Sequence, residues 1–275
     1  MALRDLLVHV GDEKDSGHAV DVALALAERC DAHLVGLGVL LPLEMPGYAS
    51  LRLPQSVFEI MENREKERIA ESRAMFDSKA KKIGRSERCE WRMDRGNPTQ
   101  VVESHGRYAD LVVVLQRQPH TEEMRLNDLA EELMLGAGRP VLIVPYATVP
   151  KPIGKRVLVA WDASREAARA VADAMPILEI ADTVEVFVAN GVDTGNVQGT
   201  DIAAHLARHS LNVEVCTAET GETPIGEALL NHASDSGATL IVMGGYGHSR
   251  LRESVFGGVT RHILEHMTVP VLMSH

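Results

Sequence analysis

"ATLIVMGG", residues 238–245, is a short apolar run closed by two glycines, and "ADLVVVLQ", residues 109–116, echoes it about 130 positions earlier. "RPVLIVP" (139–145) returns at nearly the same offset as "VPVLMSH" (269–275), and "RDLLVHV" (4–10) returns as "KRVLVAW" (155–161). The chain therefore reads as two copies of one unit. The boundary falls in "YATVPKPIGK" (146–155), where Pro150 and Pro152 disfavour regular structure. The expected domains are 1–149 and 153–275.

Each unit alternates short apolar runs with segments of helical spacing. Unbroken apolar runs mark strands covered on both faces. In the second copy "KRVLVAW", "TVEVFVAN", "NVEVCTAE", "TLIVMGG" and "VPVLMS" read as strands. "SREAARAVADAMPILEIA", "DIAAHLARHS", "TPIGEALLNHASDSG" and "GGVTRHILEHM" read as helices, with Ser164 as a cap and Gly237 as a stop. Such alternation implies an α/β fold, a parallel sheet with helices on both sides. The first copy keeps this order but carries a long charged stretch, "SVFEIMENREKERIAESRAMFDSKAKKIG", whose mixed charges suit a solvated helix face.

Composition narrows the function. A length of 275 residues fits two domains, and 45% hydrophobic residues can supply two cores. A net charge of −11 argues against a phosphate-backbone binder, and 4% aromatic residues argue against base-stacking platforms. No run has the length of a membrane span, and "MALRDLLVHVGDE" lacks a signal-peptide layout. The three cysteines, Cys30, Cys89 and Cys216, are isolated, as in a reducing compartment. A cytoplasmic protein with no nucleic-acid or membrane partner is expected.

The segment leaving the fourth strand of the second copy is "MGGYGHSRLRESVFGGVTRH" (243–262). In open parallel sheets ligands bind beyond the carboxyl ends of the strands, where the strand order reverses. Glycine there admits a ligand to the main chain without a Cβ in the way. Gly257 and Gly258 would offer unpaired N–H groups at a helix start, which favours an anion and phosphate above all. His248, Arg250 and Arg252 add positive character to an acidic chain. The alternative is that these glycines only make turns.

The P-loop and dinucleotide fingerprints are absent. The segment resembles the universal stress proteins, whose nucleotide-binding members carry G-x-x-G, nine residues, then G-[ST]. Here Gly244-Gly-Tyr-Gly247 is followed by His248–Phe256 and then by Gly257-Gly258. The resemblance covers the whole chain as a tandem pair, but the motif occurs in the second copy alone. It implies two tandem, doubly wound, Rossmann-like parallel sheets of five strands in the order 3-2-1-4-5, and a site for ATP, with Mg2+ as an accompanying ion. By the family pattern Ala160, Trp161 and Asp162 lie near adenosine, Asp162 accepting from ribose hydroxyls, although its place also suits a helix cap. Ala189 stands where the family usually has an adenine-contacting Val. Met243, Gly244, Tyr246 and Gly247 would flank ribose and phosphates, His248 would stand beside them, and Gly257, Gly258 and Val259 would close on the phosphate tail. Gly258 replaces the Ser or Thr of the ATP-binding pattern, which removes a hydroxyl donor worth about 1 kcal/mol, a fivefold to tenfold loss of affinity.

The first copy lacks glycine after "ADLVVVLQ" and carries Glu122, Glu123, Asp128, Glu131 and Glu132 where phosphates would lie. Gly11, with Asp12 one place late, stands where the second copy has Asp162. A degenerate first domain is expected, pairing with the second within the chain through "RPVLIV" and "VPVLMS", which as exposed edge strands would seek partners. Homodimerisation is left open.

Other constellations fall away. His205/His209 and His262/His266 have helical zinc spacing but no evident third ligand, and "HTEE" at His120 lacks a second His. No G-x-S-x-G elbow and no acid–base pair is visible. The expectation is an ATP-binding regulatory module without catalytic residues, at most hydrolysing bound ATP slowly. The alternative is a dimerisation or small-ligand-sensing module of the same fold that does not bind ATP.

Overall fold

The fold is described from a computed structural model. It describes residues 2–11, 13–42, 55–116, 129–147, 152–189, 199–246 and 258–275. The first half runs β1 (Asp5–His9), α1 (Glu13–Cys30), β2 (His33–Leu40), α2 (Gln55–Lys82), β3 (Cys89–Arg95), α3 (Pro98–Gly106), β4 (Leu111–Leu115), α4 (Leu129–Gly136) and β5 (Val141–Val144). The second runs β6 (Arg156–Ala160), α5 (Arg165–Leu178), β7 (Thr183–Ala189), α6 (Thr200–Arg208), β8 (Val213–Ala218), α7 (Ile225–Asp235), β9 (Leu240–Gly244), α8 (Gly258–His266) and β10 (Val271–Ser274).

The strands form one sheet of ten in the order β3-β2-β1-β4-β5-β10-β9-β6-β7-β8. Read from either outer edge, each half has the order 3-2-1-4-5, as expected. Pairing is parallel within each half and antiparallel where the halves meet, with Val271 opposite Ile143 and Met273 opposite Val141. The two candidate edge strands are the ones that join. The carboxyl ends of the strands consequently point to opposite sides of the sheet in the two halves.

Alternate residues of each strand feed two apolar layers. Leu6, Val8, Val157, Val159, Val242 and Leu272 face α1, α2, α5 and α6, while Leu7, Leu158, Ile241, Val271 and Met273 face α3, α4, α7 and α8. A central strand buried on both faces must be largely apolar; β4, β5 and β9 carry no polar side chain, and β10 carries one, the buried Ser274 at its end. Each fully buried aliphatic side chain in these layers contributes about 1.5–3 kcal/mol. The outer strands β3 and β8 hold no fully buried residue and carry Glu90, Arg92, Asp94 and Glu214, charges that discourage edge-to-edge pairing.

The charged stretch of the first copy is α2, which buries a single stripe of Ile69, Ser72, Phe76 and Ala80. Its solvated side carries helical ion pairs such as Lys66–Glu62 and Arg73–Asp77, worth a few tenths of a kcal/mol each. Among the described residues no helix is long and apolar enough to cross a membrane.

Candidate functional site

The crevice to inspect lies between β6 and β9, because the chain leaves β6 toward β7 on one side and meets β9 on the other. Leu158 pairs with Ile241 and Val159 with Val242, so both strands deliver their carboxyl ends to the same crest. β6 stops at Ala160, one residue before the expected end, and Trp161 leaves the ladder while still donating its N–H to the Phe187 carbonyl (2.9 Å).

The turn into α5 is built by two capping side chains. Asp162 Oδ1 accepts from the Ser164 N–H (2.9 Å), and Ser164 Oγ accepts from the Ala167 N–H (3.1 Å). Ala163 between them takes φ +60°, a left-handed conformation that β-carbon residues adopt reluctantly. The cap role of Asp162 is thus occupied, and its carboxylate is exposed at the crest beside Ala160. Ala189 ends β7, half-buried, on the side of the sheet that also carries Phe187.

Two of the glycines leaving β9 answer to the protein's own packing. A Cβ on Gly244 would lie 2.5 Å from the Ala167 nitrogen and 2.6 Å from the Glu166 carbonyl carbon, so the first turn of α5 can seat only against a bare strand. A Cβ on Gly245 would overlap the Met134 side chain of α4, from the first half. Gly245 is further fixed by its N–H to the Ser274 carbonyl (2.9 Å) and by the His275 Nδ1–H donating to its carbonyl (3.1 Å). The next residue, Tyr246, takes φ +52° and donates its N–H to Thr260 Oγ1 at 3.5 Å. Thr260, only 7% exposed, therefore holds the exit of β9 to the start of α8.

Gly258 differs from both. It is exposed at the N-terminus of α8, and a Cβ there would meet no atom of the described residues within 4 Å. Val259 follows it, half-buried. Met243 is buried in the layer beneath. Of the residues expected at the site, the described ones, Ala160, Trp161, Asp162, Ala189, Met243, Gly244, Tyr246, Gly258 and Val259, belong to the ends of β6, β7 and β9 or the start of α8. Gly247, His248 and Gly257 lie outside the described residues, as do Arg250 and Arg252.

Sequence reasoning passed over Glu166. Its side chain is 2% exposed under Gly244, with Oε1 paired to Arg165 and Oε2, like the nearby Ser274 Oγ, buried without a partner among the described residues. Burial pushes its carboxyl up, but the Arg165 hydrogen bond, its own backbone N–H and the charges of Arg165 and His275 outweigh this and hold it below the usual range. An acid in the first turn of a helix that follows strand one was the available signal.

The corresponding crest of the first half is filled. Ser72 of α2 donates to the Gly11 carbonyl (2.6 Å), and Arg68 donates to the Val39 carbonyl (2.9 Å) while paired with Glu65. Desolvation, helped by the Arg68 charge, lowers His9 to about 4, keeping it neutral there. Gln116, 3% exposed, stands where the second half has Gly245 and sends its amide to the Leu264 carbonyl of α8 (2.8 Å). A cavity of about 430 Å³ lies between the halves near it, bordered by His18, Tyr146, Thr239 and Thr268.

The model of the Universal stress protein family matches residues 3–145 and again residues 154–275. The chain belongs to the universal stress protein family. A universal stress protein of Synechocystis sp. is 24% identical over 172 residues, a match spanning 58% of this chain and 56% of that protein, so this chain covers little more than half of its length. The crystal structure of a universal stress protein from Archaeoglobus fulgidus DSM 4304 has a TM-score of 0.73 and 18% identity, covering 98% of this chain and 95% of its own. A functionally unknown protein from Pseudomonas aeruginosa PAO1 has a TM-score of 0.60 and 16% identity over 99% of this chain and 92% of its own. At these identities the structural likeness speaks for the fold, and the fold it speaks for is the tandem universal stress arrangement.

Proposed function

We propose that the second half, residues 153–275, binds an adenine nucleotide, ATP with Mg2+, and that this chain works as a regulatory rather than a catalytic module. The observation that carries the reading is the G-x-x-G, nine residues, G-G spacing between a strand end and the start of α8, whose Gly258 is exposed and has no described atom where a Cβ would stand. The exposed Asp162 carboxylate on the neighbouring strand end supports the ribose role, and the half-buried Ala160 and Ala189 leave room for a base. A helix N-terminus supplies about 1 kcal/mol toward an anion, whereas micromolar binding needs about 8 kcal/mol. Most of the affinity must therefore come from the adenosine end and from further main-chain donors.

The first half, residues 1–149, is a structural partner in this reading. Its strand ends are covered by Ser72, Arg68 and Gln116, which supports one nucleotide per chain rather than two. The missing hydroxyl at Gly258 favours a second reading, a module of the same fold that senses another small ligand.

Protein purified without added nucleotide should release about one equivalent or less of adenine nucleotide on heat denaturation, read by chromatography. Titration with ATP and Mg2+ should give one site, weakened by Asp162→Ala and by Gly258→Val. Unchanged affinity in both variants would remove the site assignment, and no ATP binding at millimolar concentration would leave the second reading in its place.

A further inference from the structure

We propose that Glu185, Cys216 and His232 form a binding site for a divalent cation of the zinc class, separate from the nucleotide crevice. Three elements converge on it. Glu185 lies on β7, Cys216 on β8 and His232 on α7, and one ligand atom from each lies within 4.8 Å of the others. Glu185 is only 7% exposed, and its carboxylate is divided between two partners. Oε2 accepts from Arg156 (3.3 Å), and Oε1 lies 2.8 Å from His232 Nε2. The His232 ring is steadied by Phe187, whose centroid is 5.1 Å away, and Phe187 is the register partner of Cys216.

A thiolate, an imidazole and a carboxylate form a donor set suited to Zn2+, which takes tetrahedral sites with one position left for water. In such a site neighbouring ligand atoms stand about 3.3–3.8 Å apart. The Glu185–His232 pair needs to open by roughly half an ångström, the cation taking the place of the proton they share. Arg156 can keep its hold on Oε2 and orient the carboxylate from outside, while its other contact, Glu214 at 3.1 Å, offsets its charge. Cys216 and His232 are half-buried, so the rim is open to ions and to water. A nucleophilic cysteine is the competing use of these groups. Burial first, and the Glu185 charge second, push the Cys216 thiol up, the wrong direction for a free nucleophile; a bound cation would have to displace that proton, so its binding should tighten as pH rises. The spacing of the three residues along the chain gives no motif, which is why the sequence conceals the site.

The test uses the reduced full chain with Co2+ as the spectroscopic stand-in. One equivalent should produce a sulfur-to-cobalt charge-transfer band in the near ultraviolet that Zn2+ bleaches. Cys216→Ser should abolish the band, Cys30→Ser and Cys89→Ser should keep it, and His232→Gln and Glu185→Gln should weaken binding by about tenfold or more. A second readout needs no variant. Alkylation of Cys216 by iodoacetamide, followed by peptide mass spectrometry, should slow by about tenfold in stoichiometric Zn2+ while Cys30 and Cys89 react as before. Absence of the band in the wild type, its survival in Cys216→Ser, or Cys216 alkylation indifferent to zinc would each overturn the proposal.

Discussion

Gly244→Ala and Gly258→Ala are the same chemical change placed in opposite surroundings. At Gly244 the new methyl would come within 2.5–2.6 Å of the Ala167 nitrogen and the Glu166 carbonyl carbon, main-chain atoms that cannot rotate aside. The whole of α5 must shift, and with it Ala170, Val171, Ala174 and Ile177, all buried against the sheet. Overpacking of a core costs about 1–3 kcal/mol, and a rigid obstacle places this case at about 3. At Gly258 the methyl meets no atom of the described residues, and replacing glycine in a helix returns up to about 1 kcal/mol. The two variants should therefore differ by about 3–4 kcal/mol, with Gly244→Ala melting lower than wild type by roughly 6–12 °C. Urea and thermal unfolding followed by circular dichroism measure both. Equal stability of the two variants would refute the division of these glycines into one that packs and one that stands open.

Gly258→Ser should restore the missing hydroxyl and raise ATP affinity about fivefold to tenfold by titration calorimetry; no gain would mean that the phosphates do not reach this helix end. His9 should make stability fall with acid. Its value drops from 6.5 free to about 4 in the fold, so the unfolded chain binds more protons between those limits and stability is lost as pH falls from about 6.5 to about 4, by up to about 3 kcal/mol. His9→Gln should remove that slope from urea midpoints measured across the range. Gln116→Ala should cost about 1–3 kcal/mol, because carbonyls in the last turn of α8 lose their donor; unchanged unfolding would show that water replaces the amide.

The strand runs exposed the fold because strands buried on both faces cannot afford polar positions, and the repeat of "ADLVVVLQ" in "ATLIVMGG" fixed two copies of one topology. The join was legible for the same reason, since β5 is apolar to its end and β10 up to its last residue, Ser274, and both need partners on both sides. The glycines were less legible. Spacing identifies where a side chain is missing and cannot say what occupies the room, so Gly244 reads as a ligand approach although α5 fills the space beside it, and Met134 likewise fills the space beside Gly245. Asp162 was read both ways, and its Oδ1 bond to Ser164 comes from the ordinary tendency of Asp to cap the turn it stands in. Gln116 and the Glu185–Cys216–His232 cluster escaped because their partners are distant in sequence and reach them only through the sheet order; Glu166 pairs with its neighbour Arg165, but Gly244, which buries it, comes from β9.

The junction explains why two copies of one unit ended with unlike strand ends. Gln116 and Gly245 hold corresponding places just past the fourth strand of each half, and Met134 and Leu264 correspond on the helices that follow. Across the antiparallel join each strand end meets the other half's helix, but the contacts differ in kind. Gly245 yields its space to the Met134 side chain, an apolar packing contact, whereas Gln116 fills its own space and donates to the Leu264 carbonyl. A glutamine at that exit closes the first half's crest and caps the C-terminus of α8, the helix whose other end carries the exposed Gly258. A glycine at the matching exit gives its room to Met134 and so lets the halves close together. One repeated position thus carries two different solutions, a glutamine that fills the exit of β4 and a glycine that leaves the exit of β9 to a side chain from the other half.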